Sequence, residues 1–273
     1  MRKDMSVTVD TLKTGNFTMD YCTFGSGKRT LVIIPGLSVQ SVMPSAQDIA
    51  GAYRLLTDDY TVYVFDRRKD PPESYSIADM ARDTAEAIRK LGRDDVDIFG
   101  ASQGGMIAME IALQQPDLVH SLILGSTTSC ISRSRFDAID SWIDMAKAGE
   151  SEKLYLAFGE LLYPPAVFEG AKEQLIKSAS TVTAEDLGRF VIMAGALKGF
   201  DITSRLSAIV CPVLILGSED DKVVGSEASR DIRKALTSCQ HCELHMYNGY
   251  GHAVYDLAPD YSQRMLNFLK SIR

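Results

Sequence analysis

Gly100-Ala101-Ser102-Gln103-Gly104-Gly105 follows the short apolar run Val96–Phe99 and leads into Met106–Gln115, a segment apolar nearly all round. A β-rich run, a glycine-bracketed serine and a buried helix meet within twenty residues. Ser102 stands in the frame Gly-x-Ser-x-Gly, with Gly100 and Gly104 on either side. A serine hydroxyl is a weak nucleophile and must be presented to a base. A sharp strand-to-helix turn does this: it lifts the side chain clear of the sheet, and small neighbours let strand, turn and helix approach closely. The same turn aims the N–H of Gln103, at the helix N-terminus, toward developing negative charge. On its own the pentapeptide is equally a glycine-rich turn with an incidental serine. The strand-then-helix context is what favours a nucleophile elbow, provided the rest of the chain supplies a base, an acid and an anion site.

Working outward, four more apolar runs resemble Val96–Gly100: Thr30–Gly36, Tyr60–Asp66, Ser121–Gly125 and Cys211–Gly217. Continuous Val/Ile/Leu runs of this length suit strands buried on both faces of a parallel sheet. Before them, Val7–Lys13 and Asn16–Phe24 read as an antiparallel hairpin. Between Asp66 and Val96, Met80, Thr84, Ala87, Ile88 and Leu91 recur at helical spacing, with Ser76 and Asp79 as a start signal and Gly92 as a stop. Tyr261, Met265, Phe268, Leu269 and Ile272 mark one face of a last helix. Strands alternating with helices predict an α/β fold with a mostly parallel sheet covered on both sides. From Ser126 to Cys211 no strand signal appears. Helical stripes fill the interval: Phe136, Ile139, Ile143 and Ala146; then Leu154, Tyr155, Phe158, Leu161 and Leu162, ended by Pro164-Pro165; then Leu187, Val191 and Ala194 behind a Thr183/Asp186 cap. The pattern predicts a core of residues 1–127 and 202–273 with a helical cap over 128–201.

The 273 residues are 45% hydrophobic and 24% charged, as in soluble globular proteins. A formal net charge of -7 with no basic stripe argues against nucleic acid as a partner. Met1–Asp10 has early cations but no apolar stretch behind them, so it does not read as a secretory signal. No window approaches the roughly 20 apolar residues a membrane span needs. A cytoplasmic protein, off the membrane, is expected. Five cysteines at irregular spacing suggest no disulfide framework. Cys239, His241, Cys242 and His245 raise the idea of a metal site, but a short strand would point neighbouring side chains to opposite faces, and no second ligand pair is visible. Neither a metal nor an organic cofactor is expected. Oligomeric state is left open.

Four histidines compete for the role of base. His120 reads as a surface-turn residue before its strand, and His241 and His245 belong to the strand just discussed. His252 lies in Asn248–Asp256, a glycine-rich loop that should run over the C-terminal sheet edge where Ser102 emerges. The acid that orients it should come from Gly217–Val224, on the same edge. Asp221 is favoured because Val223-Val224 would anchor the loop beside it; Asp220 is the alternative. The turn Pro35-Gly36-Leu37-Ser38 can offer the N–H of Leu37 beside that of Gln103 as an oxyanion hole. Trp142, Tyr155, Phe158, Tyr163, Phe168 and Met193 are candidates to line an apolar pocket under the cap.

Ser102, Asp221 and His252, each following a successive strand, resemble the α/β-hydrolase superfamily, and the likeness extends over nearly the whole chain. The motifs that carry it are the elbow Gly100–Gly105, the acid loop Gly217–Val224 and the histidine loop Gly249–Pro259. The resemblance implies an eight-stranded, mainly parallel sheet, with the cap inserted after a sixth strand at Ser121–Gly125. It further implies a carboxylesterase-like serine hydrolase acting on a small acyl substrate. C–C bond hydrolysis, acyl transfer and perhydrolysis use the same triad, and some relatives are receptors. Two departures stand out. Many members carry His-Gly where this chain has Pro35-Gly36, which removes a side chain that often braces the oxyanion loop. Many also carry glycines after the fourth strand where this chain reads Asp66-Arg67-Arg68-Lys69-Asp70-Pro71-Pro72. Arg67 or Arg68 would there either meet an anionic substrate group or pair with neighbouring acids. Ser102 excludes the carboxylate nucleophile of a haloalkane dehalogenase, and Ile34–Ser38 lacks the oxyanion motif of prolyl iminopeptidases.

Overall fold

A computed structural model describes residues 6–272. Residues 1–5, part of the segment read above for a secretory signal, lie outside the described residues. Eight strands form one sheet: β1 (Thr8–Lys13), β2 (Thr18–Phe24), β3 (Arg29–Ile34), β4 (Tyr60–Arg68), β5 (Val96–Ala101), β6 (Val119–Gly125), β7 (Val213–Ser218) and β8 (Cys242–Tyr247). Their order is β1-β2-β4-β3-β5-β6-β7-β8. The hairpin β1–β2 and the pair β2–β4 are antiparallel, and every pair from β3 onward is parallel.

The helices are α1 (Ala46–Ala52), α2 (Ile77–Lys90), α3 (Gln103–Gln114), α4 (Arg133–Lys147), α5 (Ser151–Leu162), α6 (Pro165–Ala179), α7 (Ala184–Gly195), α8 (Glu227–Ala235), α9 (Val254–Leu257) and α10 (Tyr261–Ser271). Side chains alternate across a strand, so each apolar run feeds two cores. Val32, Ile98 and Leu122 join Ile88 of α2 and Ile107 of α3 on one face. Ile33, Phe99 and Ile123 join Ala50 of α1 and Leu269 of α10 on the other. All six residues of β5 and of β7 are buried, which is why those runs carry no polar alternation beyond Asp97 and Ser218. The Tyr60 hydroxyl donates to Asp97 at 2.9 Å and the Ser121 hydroxyl at 2.6 Å, which satisfies that buried carboxylate.

Capping boxes start both helices where the sequence signals them. Ser76 and Asp79 exchange hydrogen bonds at α2, and Thr183 and Asp186 do so at α7. Between β6 and β7 lie α4 to α7, with no named strand. The two ends of this insertion pair with each other: an isolated bridge joins Cys130 to Asp201, and Ile202 N–H donates to the Ser129 carbonyl at 2.9 Å. Ile139, Trp142, Leu154 and Phe190 pack into the same core as α3.

Two expectations need correction. His120 is not on a turn before the strand: β6 already begins at Val119, and the Nδ1 of His120 lies 3.1 Å from Asp95 Oδ1. Cys239 and His241 precede β8 rather than lie in it, so the alternating-face argument does not cover them. The Cys239 thiol donates to the Cys211 carbonyl at 3.0 Å, and His241 Nε2 lies 2.8 Å from Glu243 Oε1. Among the described residues, no three His, Cys, Asp or Glu side chains are grouped to hold a metal ion.

Candidate active site

Parallel strands release their loops at one edge, and the β5, β7 and β8 loops bring Ser102, Asp221 and His252 together there. Ser102 caps α3 with φ 52° and ψ -120°. Positive φ is strained for a residue with a Cβ, and such strain persists only where the surroundings over-determine it. Here Ser102 N–H donates to the Gly125 carbonyl at 2.8 Å, and the Thr127 hydroxyl donates to the Ser102 carbonyl at 2.7 Å. Gly104 has no room for a Cβ, which would overlap the carbonyl oxygens of Ile34 and Pro35; one on Gly100 would overlap the Gly104 carbonyl. The sharp turn therefore depends on these two glycines.

The Ser102 hydroxyl lies 2.9 Å from His252 Nε2, and His252 Nδ1 lies 2.8 Å from Asp221 Oδ2. A carboxylate only accepts, so Nδ1 carries the proton and Nε2 is left to accept from the Ser102 hydroxyl. The other Asp221 oxygen accepts from the N–H groups of Val223 and Val224, both at 2.9 Å. Burial alone would push the Asp221 carboxyl up, but His252 and these two backbone donors outweigh it and hold it below the usual carboxylate range. Asp220 is used differently: its carboxylate accepts from the Gly249 N–H and ties the acid loop to the histidine loop. Asp221 and His252 are both buried, while Ser102 is half-buried.

Gln103 opens α3, and Leu37 lies in the loop after β3. Neither N–H donates to a protein acceptor among the described residues. A Cβ on Gly36 would sit 3.2 Å from the Ser102 Cβ, so this loop runs alongside the elbow. Arg67 supplies a brace for it. Its Nη2 donates to the Pro35 carbonyl at 2.6 Å, from a buried position where burial pulls the guanidinium down to about 10. Arg68 instead contacts Asp83, at 3.4 Å, and the carbonyls of Asp70 and Asn16. Neither arginine lines the cavity, so the idea that one of them meets an anionic substrate is corrected. Arg67 takes over the bracing that Pro35 cannot provide, and no local sequence pattern announces that.

A cavity of about 940 Å³ runs from Gly36, Leu37 and Ala101 beside the elbow to the walls of α5 and α6. Of the six pocket candidates, Tyr155, Phe158 and Tyr163 line it. Trp142, Phe168 and Met193 do not. Trp142 lies buried on the inward stripe of α4, its ring centroid 4.6 Å from that of Phe158. The Met193 side chain is buried on α7, where the carbonyl of the same residue accepts from Gln103 Nε2 at 2.8 Å. Phe168 packs over Gly159 beside Leu175, whose Cδ1 leaves no room for a Cβ there. The walls that sequence reading missed include Gln40, Tyr53, Tyr255 and Asp256. Gln40 bridges the two sides: its Oε1 accepts from the Tyr155 hydroxyl at 2.8 Å, and its Nε2 donates to the Thr181 hydroxyl at 3.3 Å.

Comparison with known proteins agrees with this arrangement of strands and loops. A sequence model described as "Alpha/beta hydrolase family" matches residues 31–262. The chain is similar to a putative carbamate hydrolase RutD of Agrobacterium fabrum, 28% identical over 246 residues, covering 88% of this chain and 92% of the relative. A putative carbamate hydrolase RutD of Rhizobium rhizogenes is 28% identical over 225 residues, with 79% and 85% covered. Among solved structures, MGS-M2, an alpha/beta hydrolase enzyme from a Medee basin deep-sea metagenome library, superposes with a TM-score of 0.79 at 21% identity, covering 99% of this chain and 95% of that one. The esterase EaEST from Exiguobacterium antarcticum gives a TM-score of 0.79 at 20% identity, with 96% and 100% covered.

Proposed function

The chain belongs to the alpha/beta hydrolase family and is a hydrolase, and from that premise we propose that it cleaves a small carboxylic ester or related acyl substrate with Ser102 as nucleophile. The observation that carries this reading is the unbroken chain of hydrogen bonds from Ser102 to His252 to Asp221, at 2.9 and 2.8 Å, made by side chains 150 and 31 positions apart. His252 Nε2 takes the hydroxyl proton as Ser102 Oγ bonds to the carbonyl carbon. The carbonyl oxygen becomes an oxyanion facing the N–H groups of Gln103 and Leu37, and such donors are worth ~10²–10³ in rate apiece. As the carbon–leaving-group bond breaks, His252 hands its proton to the departing alcohol and leaves an acyl-enzyme on Ser102. Water, losing a proton to His252, then attacks the acyl carbonyl; Ser102 recovers its proton from His252 and the carboxylic acid departs. Asp221 holds the imidazole in the required tautomer throughout.

The relatives named putative carbamate hydrolases extend the candidate substrates from esters to carbamates, whose carbonyl offers the same point of attack. With this reading goes the division into a core of residues 1–127 and 202–273 and a substrate-covering cap over 128–201, supported by the pairing of Cys130 with Asp201 at its base. The test is a panel of p-nitrophenyl esters of graded chain length and a p-nitrophenyl carbamate, run on the wild type and on Ser102→Ala. The variant is expected to lose at least ~10³-fold in kcat and to resist a serine-directed phosphonate. Undiminished turnover or labelling of Ser102→Ala overturns the reading.

A further inference from the structure

The side chain of Gln103 makes a contact that the hydrolytic steps do not use. Its Nε2 donates to the Met193 carbonyl at 2.8 Å, and so joins the first residue of α3 to the last turn of α7, 90 positions away. A helix leaves its final carbonyls without intrahelical donors. Here the Ile192 carbonyl takes the N–H of Ala196, the Ala194 carbonyl that of Leu197 and the Gly195 carbonyl that of Lys198. The Met193 carbonyl takes the Gln103 amide instead. Gln103 is 1% exposed and Met193 2%, so bulk water does not compete for this bond. The amide can face only one way, because its oxygen would meet the Met193 carbonyl as a second acceptor. Oε1 therefore points elsewhere, and among the described residues it has no hydrogen-bond partner. A buried oxygen without a donor costs free energy that a methionine of similar length would not. Packing between α3 and α7 gives no reason for an amide at this position.

The place of the bond supplies one. The Ser102–Gln103 peptide plane carries the Gln103 N–H at one end and the Ser102 carbonyl at the other, beside a Ser102 backbone at φ 52°. The Thr127 hydroxyl holds the carbonyl end at 2.7 Å. The N–H end has to stay free for an oxyanion, so the residue's own side chain is what can steady it. The helix that receives this side chain also reaches the second donor's loop. Arg189, four residues before Met193 on α7, brings Nη1 to 3.8 Å from Asp66 Oδ2, while Asp66 Oδ1 accepts from the Arg67 N–H at 2.7 Å. Arg67 in turn holds the carbonyl of Pro35, two residues before Leu37. We propose that the Gln103 side chain is a positioning group: bound to the end of α7, it aims the Gln103 N–H at the oxyanion, so that a helix inserted between β6 and β7 sets the geometry of the oxyanion hole. This rests on Ser102 being the nucleophile and adds a positioning residue to that reading.

Gln103→Met tests it, with Gln103→Leu as a second way to fill the same space. Addition of Ser102 to 1,1,1-trifluorooctan-2-one puts an oxyanion where the two N–H groups would meet it. Octan-2-one, with a far less electrophilic carbonyl, binds without forming one. Inhibition by each ketone is measured against p-nitrophenyl acetate hydrolysis, with active sites titrated by the phosphonate so that rates refer to folded enzyme. In the variants, kcat/KM and the affinity for the trifluoromethyl ketone are expected to fall together, by about 10–100-fold, while octan-2-one binds within about threefold of the wild type. A bond that only supports the fold would lower stability in urea and leave kcat/KM and both affinities within threefold, and that result overturns the proposal. An equal loss of affinity for both ketones overturns it too, as does failure of both variants to fold, which would assign the amide to folding alone. Running Ser102→Ala alongside keeps the two readings apart. Hydrolysis that requires Ser102 but ignores Gln103→Met removes only the positioning role, whereas hydrolysis that persists in Ser102→Ala removes the catalytic reading itself.

Discussion

The C-terminal edge of the sheet and the helical insertion face each other across one cavity, and they are held by different means. At the edge, backbone meets backbone. Gly100 and Gly104 leave no space for a methyl group, Ser102 is kept at positive φ, and Asp221 is fixed by two main-chain donors as well as by His252. In the insertion, side chains do the holding and there is slack: α6 has Ala179 as its one buried residue, and Gly170 and Gly188 have nothing near the place a Cβ would occupy. The difference fits the roles proposed for the two regions. Reacting groups have to sit within a few tenths of an ångström of their productive positions, whereas contacts to the body of a substrate tolerate adjustment.

Substitutions on the two sides should therefore diverge, most of all at the acid. Asp221→Asn keeps the shape and the acceptor for Val223 and Val224 but favours the wrong histidine tautomer, so kcat is expected to fall by ~10³–10⁴ in steady-state ester hydrolysis. A loss under tenfold would mean the edge is less tightly determined than its geometry implies. The same variant has a pH signature. Because the folded state holds the Asp221 carboxyl below its ordinary value of 3.8, the ionised group adds stability above that pH, and this is lost as pH falls through the folded value. Urea unfolding of Asp221→Asn should lack that part of the acid-side decline; an unchanged decline would assign it to other carboxylates.

Alanine in place of glycine gives the most direct contrast. Gly104→Ala forces a methyl group into the carbonyls of Ile34 and Pro35, and is expected to cost about 2–3 kcal/mol in urea unfolding, or to prevent folding. Gly170→Ala, on an exposed turn of α6, is expected to stabilise by about 0.5–1 kcal/mol and to leave kcat/KM within about twofold. If both variants lose stability, the insertion is as tightly packed as the edge and the contrast fails.

Legibility in the sequence divides along the same line. The strands of the parallel sheet, the elbow and the starts of α2 and α7 follow from local pattern, because burial on both faces, a strand-to-helix turn and a capping box each leave a contiguous signature. Helix α6 leaves none: it starts at Pro165 and buries only Ala179, so it has no apolar stripe to read. Pocket residues were half legible. Tyr155, Phe158 and Tyr163 face the cavity while Trp142, Phe168 and Met193 pack elsewhere, since an apolar side chain in an insertion reads alike whether it meets the core or a substrate. Arg67 is illegible for a related reason. Its charge allows a substrate group or an ion pair, yet its acceptor is the Pro35 carbonyl, 32 positions away.

By itself, then, the amino-acid order determined the layers of this protein, the place of its elbow and the short candidate set of base and acid. Those features rest on hydrophobic period and on glycines that only a particular backbone needs, and both act over a few residues. Tertiary structure brought Asp221 rather than Asp220 to His252, turned Arg67 inward to the Pro35 carbonyl, and set Gln40 between Tyr155 and Thr181 across the cavity. Each of these depends on distances between segments far apart in the chain, which packing alone brings within reach.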